Sequence, residues 1–266
     1  MALALVHSRA RCGLQAPLVT VEVHLSRGLP GFQLVGLPET SVKEAKDRVR
    51  SALINSGFEF PDHKITVNLA PADLPKEGGR FDLAIALGIL HASGQLQADL
   101  SDYEFFGELA LSGEIRSIVG EIPLALACKL AGHIAVFPLH NAIQAQQIAD
   151  IQLCGAEHLL QLHAFLLHQQ ALPAIPPIPD TPTESYPDLA EVRGQAQAKR
   201  ALEIAAAGEH NLLMFGPAGT GKSMLAQRLP GILPELNDQE ALETAAISPS
   251  HRPDGPSWTS RKGRDA

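Results

Sequence analysis

Three cysteines in 266 residues, Cys12, Cys128 and Cys154, lie far apart and form no CxxC pair. That excludes a disulfide framework and a zinc knuckle, and the three read as buried thiols of a cytosolic chain. Basic charge is also short: Lys and Arg number 21 against 29 Asp and Glu, a formal net charge of −8. A broad basic face for gripping nucleic acid is therefore not expected, although a local patch fits the total. No apolar run approaches the ~20 residues that span a bilayer. The opening MALALVHSRARCG lacks the basic leader and apolar stretch of a signal peptide. What is present is 45% hydrophobic against 19% charged residues, enough for a packed core and too apolar for wholesale disorder. The expected class is a cytoplasmic α/β protein with no membrane partner. At ~150 residues per domain, the length fits one large domain or two modest ones.

The clearest boundary is the stretch 171–187, where Pro173, Pro176, Pro177, Pro179, Pro182 and Pro187 remove backbone donors and disfavour helix before them. It reads as a polyproline-like spacer, leaving a first domain over 1–170. Within that domain Val19, Val21, Val23 and Leu25 alternate with polar residues at the period of a half-buried strand. Ser41 and Glu44 are spaced as a capping box, and Val42, Ala45, Val49, Ala52 and Leu53 follow on one helical face. Further strands are expected over 64–69, near Phe105 and over 133–137. Helices are expected over 81–93 and after Pro123, with two more before the spacer. Beyond the spacer a helical pattern over 195–207 precedes the apolar run Leu212, Leu213, Met214 and Phe215, which reads as a buried strand. A second helix is expected over 222–229.

Between that strand and that helix lies Gly216, Pro217, Ala218, Gly219, Thr220, Gly221, Lys222 and Ser223, which fits G-x-x-x-x-G-K-[ST] at every position. Glycines allow a path that turns successive N–H groups inward as an anion nest, and the helix N-terminus adds its positive dipole end. Lys222 is placed to reach the β- and γ-phosphates of ATP, and the Ser223 hydroxyl to ligate Mg²⁺. Met224, next in the helix, completes the candidate nucleotide-binding set.

With these residues the segment from Pro187 to Ile247 resembles the opening of the AAA+ module in the magnesium-chelatase-like, or ComM/YifB, family. The stretches GLPETSVKEAKDRVRSALINSGFEFP and ITVNLAPADLPKEGGRFDLAIALGIL carry the same resemblance into the first domain. It implies a Lon-protease-like, ribosomal S5 domain 2-like α+β domain over 1–170 and a P-loop AAA+ α/β module begun over 188–247. It further implies ATP and Mg²⁺ as cofactors, a homo-oligomeric ring (a hexamer), and DNA as partner, through branch migration linked to natural transformation. Asp188, Val192 and Gly194 fall where such modules approach the adenine.

Lon-type peptidases use a Ser activated by a Lys. By the same resemblance Arg80 stands at the nucleophile position, in the stretch Pro75, Lys76, Glu77, Gly78, Gly79, Arg80, and a guanidinium cannot attack a carbonyl. Gly120, Glu121, Ile122 and Pro123 replace the stretch that holds the Lys, and Lys76 and Lys129 have no nucleophile to serve. The first domain is thus expected to make contacts rather than cut peptides. His158, His163 and His168 repeat every five residues, about 140° apart around a helix, and read as solvated or capping residues rather than one metal site. Lys43, Glu44, Lys46, Asp47, Arg48 and Arg50 read as a solvated mixed-charge face.

No apolar run ending in Asp-Glu follows Ser223, so the acid that completes the Mg²⁺ site is not in this sequence. The stretch 248–266 is polar and rich in Pro and Gly, and reads as an aberrant or disordered tail on a truncated module, with a frameshift the favoured origin. The chain alone is expected to bind nucleotide weakly at most and not to hydrolyse it usefully. Two functions remain in view: part of an ATP-driven motor on DNA, or a non-catalytic interaction module built on the first domain. Magnesium insertion into porphyrin ranks last, because chelatase motor subunits lack the Lon-like domain.

Overall fold

The computed structural model describes residues 2–178, 186–234, 236, 237, 240, 241 and 244. The whole of the expected tail, 248–266, and the middle of the spacer, 179–185, lie outside the described residues. The chain divides into two compact units, Met1–Ile178 and Pro179–Ala266, each described by itself.

The first unit runs β1 (Ala2–Arg9), β2 (Leu18–Ser26), β3 (Gly31–Val35), α1 (Thr40–Lys43), α2 (Ala45–Asn55), β4 (Lys64–Ala70) and α3 (Asp82–Ala92). It continues through β5 (Tyr103–Phe105), β6 (Glu108–Leu109), β7 (Ile115–Arg116), α4 (Glu121–Ala131), β8 (Ile134–Pro138), α5 (Leu139–Ala145), β9 (Leu153–Ala156) and α6 (Leu159–Leu166). Seven strands form one mostly parallel sheet in the order β3-β4-β2-β1-β5-β8-β9, and β6 and β7 form a separate hairpin. The protein is α/β, as its alternating patterns indicate.

The alternation in β2 puts Val19, Val21, Val23 and Leu25 on one buried face, opposite Leu69, Val67 and Ile65 of β4 and Ser8, Val6 and Ala4 of β1. α3 lies on this face. Apart from His91 every residue of α3 is buried, which a helix tolerates only where neighbours enclose it on all sides. It approaches β2 so closely that a Cβ on Gly88 would sit 2.5 Å from Val23 Cγ2. Gly36, at φ +100 and with a Cβ position 2.2 Å from the Leu69 carbonyl oxygen, makes the equivalent backbone approach where β3 ends.

Several expectations are corrected. Ser41 does not cap a helix: it sits inside α1, whose N-cap is Glu39 without a side-chain bond, and its hydroxyl accepts from the Gly78 N–H at 3.1 Å. A partner across the fold outcompetes the local one. The apolar face of α2 is buried as expected, but Arg48 is not a solvated charge. Its Nε and Nη2 donate to Asp82 Oδ2 and Oδ1 at 2.7 and 3.1 Å, while Leu109 N–H donates to Asp82 Oδ2. Only Cys128 is fully buried; Cys12 and Cys154 are partly exposed. Residues 171–178 are not a free spacer, for Leu172 packs against the core and the Pro176 carbonyl accepts from Gln146 Nε2 at 2.7 Å. Proline forbids ladder and helix, not burial of the apolar residues between.

A second buried charge organises the opposite side of the sheet. Arg9 grips Glu104 through Nε and Nη2 at 2.6 Å each. The Cys128 thiol donates to Glu104 Oε2 at 2.7 Å, and His133 Nδ1 lies 2.8 Å from Oε1. Burial works to raise the Glu104 pKa, yet the bonds from Arg9, Cys128 and His133 outweigh it and hold the carboxyl below its usual range. Burial and then the Glu104 charge push the Cys128 thiol up, so it is unreactive.

Two predictions follow from the α3 contacts. Gly88→Ala should destabilise the unit by roughly 1–3 kcal/mol, the usual cost of overpacking, with unchanged denaturant slope. Arg48→Ala should cost roughly 3 kcal/mol at pH 7.5, because the buried Asp82 carboxyl loses its counter-ion and must either stay charged without it or take up a proton. Burial raises Asp82 to about 6 against its ordinary 3.8 despite Arg48. A carboxyl raised in the folded state holds its proton more tightly than in the unfolded chain, so its contribution declines as pH rises from about 4 to 6. The Arg48→Ala penalty should accordingly shrink in melts at pH 5, where the carboxyl is neutral. A penalty independent of pH would contradict this.

Candidate phosphate-binding site

The second unit contains α7 (Ala196–Ala207) and α8 (Lys222–Ala226), with short 3₁₀ turns at Leu189–Glu191 and Pro230–Ile232. Its small core joins Leu189, Val192, Leu202 and Leu225, with Met214, Leu229 and Ile232 packed alongside. The expected strand over 212–215 does not form. These residues have no ladder partner among the described residues, and Leu213 and Phe215 are 87% and 93% exposed. A strand exists only through its neighbours, and no other strand occurs in the described part of this unit. The second expected helix is also shorter. It ends at Ala226 rather than Leu229, because after Gln227 the bonds tighten to the i→i−3 pattern, Arg228 N–H to the Leu225 carbonyl and Leu229 N–H to the Ala226 carbonyl, both at 3.1 Å.

The glycine-rich loop nevertheless has a defined path. Gly216, Gly219 and Gly221 all take positive φ, at +153, +82 and +84. Gly221 is the N-cap of α8, so the loop runs directly into a helix start. Lys222 Nζ turns back to donate to the carbonyls of Gly216 and Pro217 at 2.9 and 2.8 Å and approaches Thr220 Oγ1 at 3.4 Å. The Thr220 hydroxyl itself donates to the Pro217 carbonyl at 3.0 Å. The ammonium therefore rests on neutral carbonyls, bonds that a phosphate oxygen would replace with a charged acceptor. Ser223 is exposed and its hydroxyl makes no bond among the described residues. Pro217, Ala218 and Met224 are likewise at the surface, with Met224 Cε 3.3 Å from the Cβ position of Gly221.

Two residues that motif spacing does not single out hold this loop. Gln195, at the unusual φ of +54, donates from Nε2 to the Thr220 carbonyl at 3.0 Å. Arg228 donates to the Asp188 and Met224 carbonyls at 3.0 Å each and to Glu191 Oε2 at 2.9 Å. Together they bring the segment 188–195 against the loop and α8. Asp188 caps its turn by accepting from the Ala190 N–H at 2.8 Å, and Val192 is buried in the shared core. Gly194 takes φ +70 just before Gln195. In the sequence only the neighbouring Gly194 hints at a special backbone beside Gln195; Arg228 gives no signal.

The other candidate residues have separate partners. Arg80 is buried and Lys129 donates to the Ala149 carbonyl. Lys76, fully buried, donates to the Pro71 carbonyl. Neither lysine contacts a serine hydroxyl among the described residues. His158 caps α6, accepting from Leu160 N–H through Nδ1 and donating from Nε2 to Ser112 O. His163 is neither solvated nor capping: its Nε2 donates to the Gln95 carbonyl at 2.9 Å, and its ring packs on Phe58. His168 lies beyond the helix at φ +57. No described helix is long and apolar enough to cross a membrane.

Comparison with known proteins supplies an independent reading. A family model described as subunit ChlI of Mg-chelatase matches residues 21–141, and one described as magnesium chelatase, subunit ChlI, matches residues 188–263. The chain is similar to the competence protein ComM of Haemophilus influenzae, 54% identical over 254 residues, covering 93% of this chain and 50% of that protein. It is also similar to the uncharacterized protein YifB of Salmonella typhimurium, 56% identical over 250 residues, with 93% and 49% covered. An uncharacterized protein of Mycobacterium tuberculosis is 43% identical over 249 residues, with 93% and 50% covered. The chain spans about half the length of the curated relatives it matches.

The exposed, unpaired chain before the loop makes a direct prediction. Chymotrypsin under native conditions should cut after Leu213 or Phe215 well before any site within 2–170, as read by mass spectrometry of the fragments. Cleavage first within β2 or α3 would contradict it.

Proposed function

Because this chain belongs to the magnesium-chelatase-like ComM/YifB family, we propose that its second unit is the phosphate-binding part of an ATP-dependent AAA+ motor. The observation that carries this reading is the loop 216–223, whose three positive-φ glycines lead into α8 under the grip of Gln195. Lys222 would exchange its carbonyl acceptors for the β- and γ-phosphates, and the exposed Ser223 hydroxyl would supply one oxygen to Mg²⁺. Asp188, Val192 and Gly194, tied to the loop through Gln195 and Arg228, stand on the side assigned to the adenine. The loop's fit to a phosphate is good and its fit to the metal is partial, because Ser223 is the one metal-directed group it offers. Hydrolysis is assigned to the whole protein rather than to this stretch.

In the whole protein the module works as a cytoplasmic homo-oligomeric ring, a hexamer, that remodels DNA by branch migration in the service of competence. The first unit, read as a Lon-like, S5 domain 2-like body with Arg80 at the nucleophile position, makes contacts rather than cutting peptides. Nucleotide binding is the step to test first. The chain should bind a fluorescent ATP analogue with Mg²⁺, and Lys222→Ala should weaken binding tenfold or more, since a charged hydrogen bond contributes ~1.5–3 kcal/mol. Equal binding by Lys222→Ala would sink the reading. The DNA role is tested in the full-length competence relative by ATP-driven movement of a synthetic four-way junction, and failure with the ATPase intact would remove it.

A further inference from the structure

We propose that a cavity of about 440 Å³ in the first unit is a binding site for an organic cation carrying a guanidinium or alkylammonium group. The cavity lies where the carboxyl ends of β8 and β9 meet the β6–β7 hairpin. Pro138 closes β8, Leu139 and His140 open α5, and Glu157 directly follows β9, so all four line it from one end of the sheet. Crevices outside the carboxyl ends of parallel strands are where α/β sheets take ligands, and β5, β8 and β9 are parallel. The hairpin supplies the other wall. It is tied to the end of β9 by the Ile115 N–H, which donates to the Glu157 carbonyl at 2.8 Å, and by the Leu159 N–H, which donates to the Gly113 carbonyl at 2.9 Å. The volume falls within the ~300–1,000 Å³ of small-molecule sites.

The charged groups around this cavity are not used in holding the fold together. Glu108 and Arg116 stand directly opposite each other in the hairpin, a position where opposite charges ordinarily pair. Among the described residues the ion pairs of this unit are instead those of Arg9, Arg48 and His133. The carboxylates of Glu108, Glu114 and Glu157 likewise accept no hydrogen bond from a described residue. Glu108 is half-buried, and Gly79 makes room for it: a Cβ there would lie 2.5 Å from Glu108 Oε2. Three carboxylates thus line the cavity against Arg116 and His140, so negative charge is in excess even with the imidazole protonated. That disfavours an anion. A bare metal ion is also disfavoured, since no group of three or more His, Cys, Asp or Glu among the described residues could hold one. A guanidinium or ammonium on an apolar stem suits the lining better. Its several N–H donors reach acceptors that no single metal could share, and its stem lies against Pro138 and Leu139.

The test is titration of the full chain at constant ionic strength with agmatine and with the peptide acetyl-Gly-Arg-Gly-amide, read by calorimetry and by backbone amide resonances. The peptide with Gln in place of Arg is the uncharged control. Tighter binding of agmatine assigns the site to a free amine, and tighter binding of the peptide to an arginine side chain of a partner protein. Glu114→Gln and Glu157→Gln combined should weaken either probe by about tenfold or more; both side chains are exposed, so the fold is retained. Glu59→Gln, an exposed carboxylate outside the cavity lining, should leave binding within about twofold. In wild type, and independently of any variant, the bound probe should shift the amides of 114–117, 139, 140 and 157. No binding of either probe, equal binding of the Gln peptide, undiminished binding by the double variant, an equal loss in Glu59→Gln, or shifts confined to other residues would overturn the proposal.

Discussion

The contact on which the first unit depends is the seating of α3 directly on β1 and β2. A helix that is apolar on every side has no stable place at a surface, so the sheet, α2 and the β6–β7 hairpin are each required to enclose it. Gly88 sets how near the helix comes to Val23. Asp82 fixes how the covering pieces meet, because it receives Arg48 from α2 and the Leu109 N–H from the hairpin. One buried carboxylate thus ties three elements that are far apart in sequence. Its polar bonds give direction to an interface that hydrophobic burial alone would leave free to slide.

The second unit has a different economy. Its loop takes the backbone path that a phosphate nest requires, yet no ladder among the described residues fixes the chain before it. The shape comes instead from Gln195 on the Thr220 carbonyl, Arg228 on Asp188 and Glu191, and a core of a few aliphatic side chains. With Phe215 in solvent, the anchoring of the loop is polar and local. Lys222 folds back onto its own loop, where its ammonium takes the carbonyls of Gly216 and Pro217 as acceptors.

Much of this was legible because burial leaves a period. The buried faces of β2 and α2 follow from alternation and from 3.6-residue spacing, and the phosphate loop follows from glycine positions that few other structures need. β1 and β3 escaped notice for reasons of the same kind. β1 carries Leu3 and Leu5 on its exposed side, which erases the alternation, and β3 is only five residues long. The capping box at Ser41 and the strand over 212–215 failed because local signals lose to long-range ones, a bond to Gly78 in the first case and the want of a neighbour in the second. Arg48, Gln195 and Arg228 act across 34, 25 and 37 or more positions of sequence, a distance at which no spacing rule operates.

The same contrast locates the exception. Where a charged side chain is buried in the first unit, the sequence supplies an acceptor from another element. Lys76 obeys this rule in a weak form, its ammonium held by the Pro71 carbonyl. Arg80, four residues on, does not: its Nε reaches the Glu77 carbonyl, but Nη1 has no partner among the described residues. A chain that satisfies its buried charges elsewhere has no structural use for an unsatisfied one, since an apolar residue of similar length would fill the space at less cost. Local rules are broken most readily where something other than folding is being served. The break falls in the turn of Gly79–Phe81 that leads into α3.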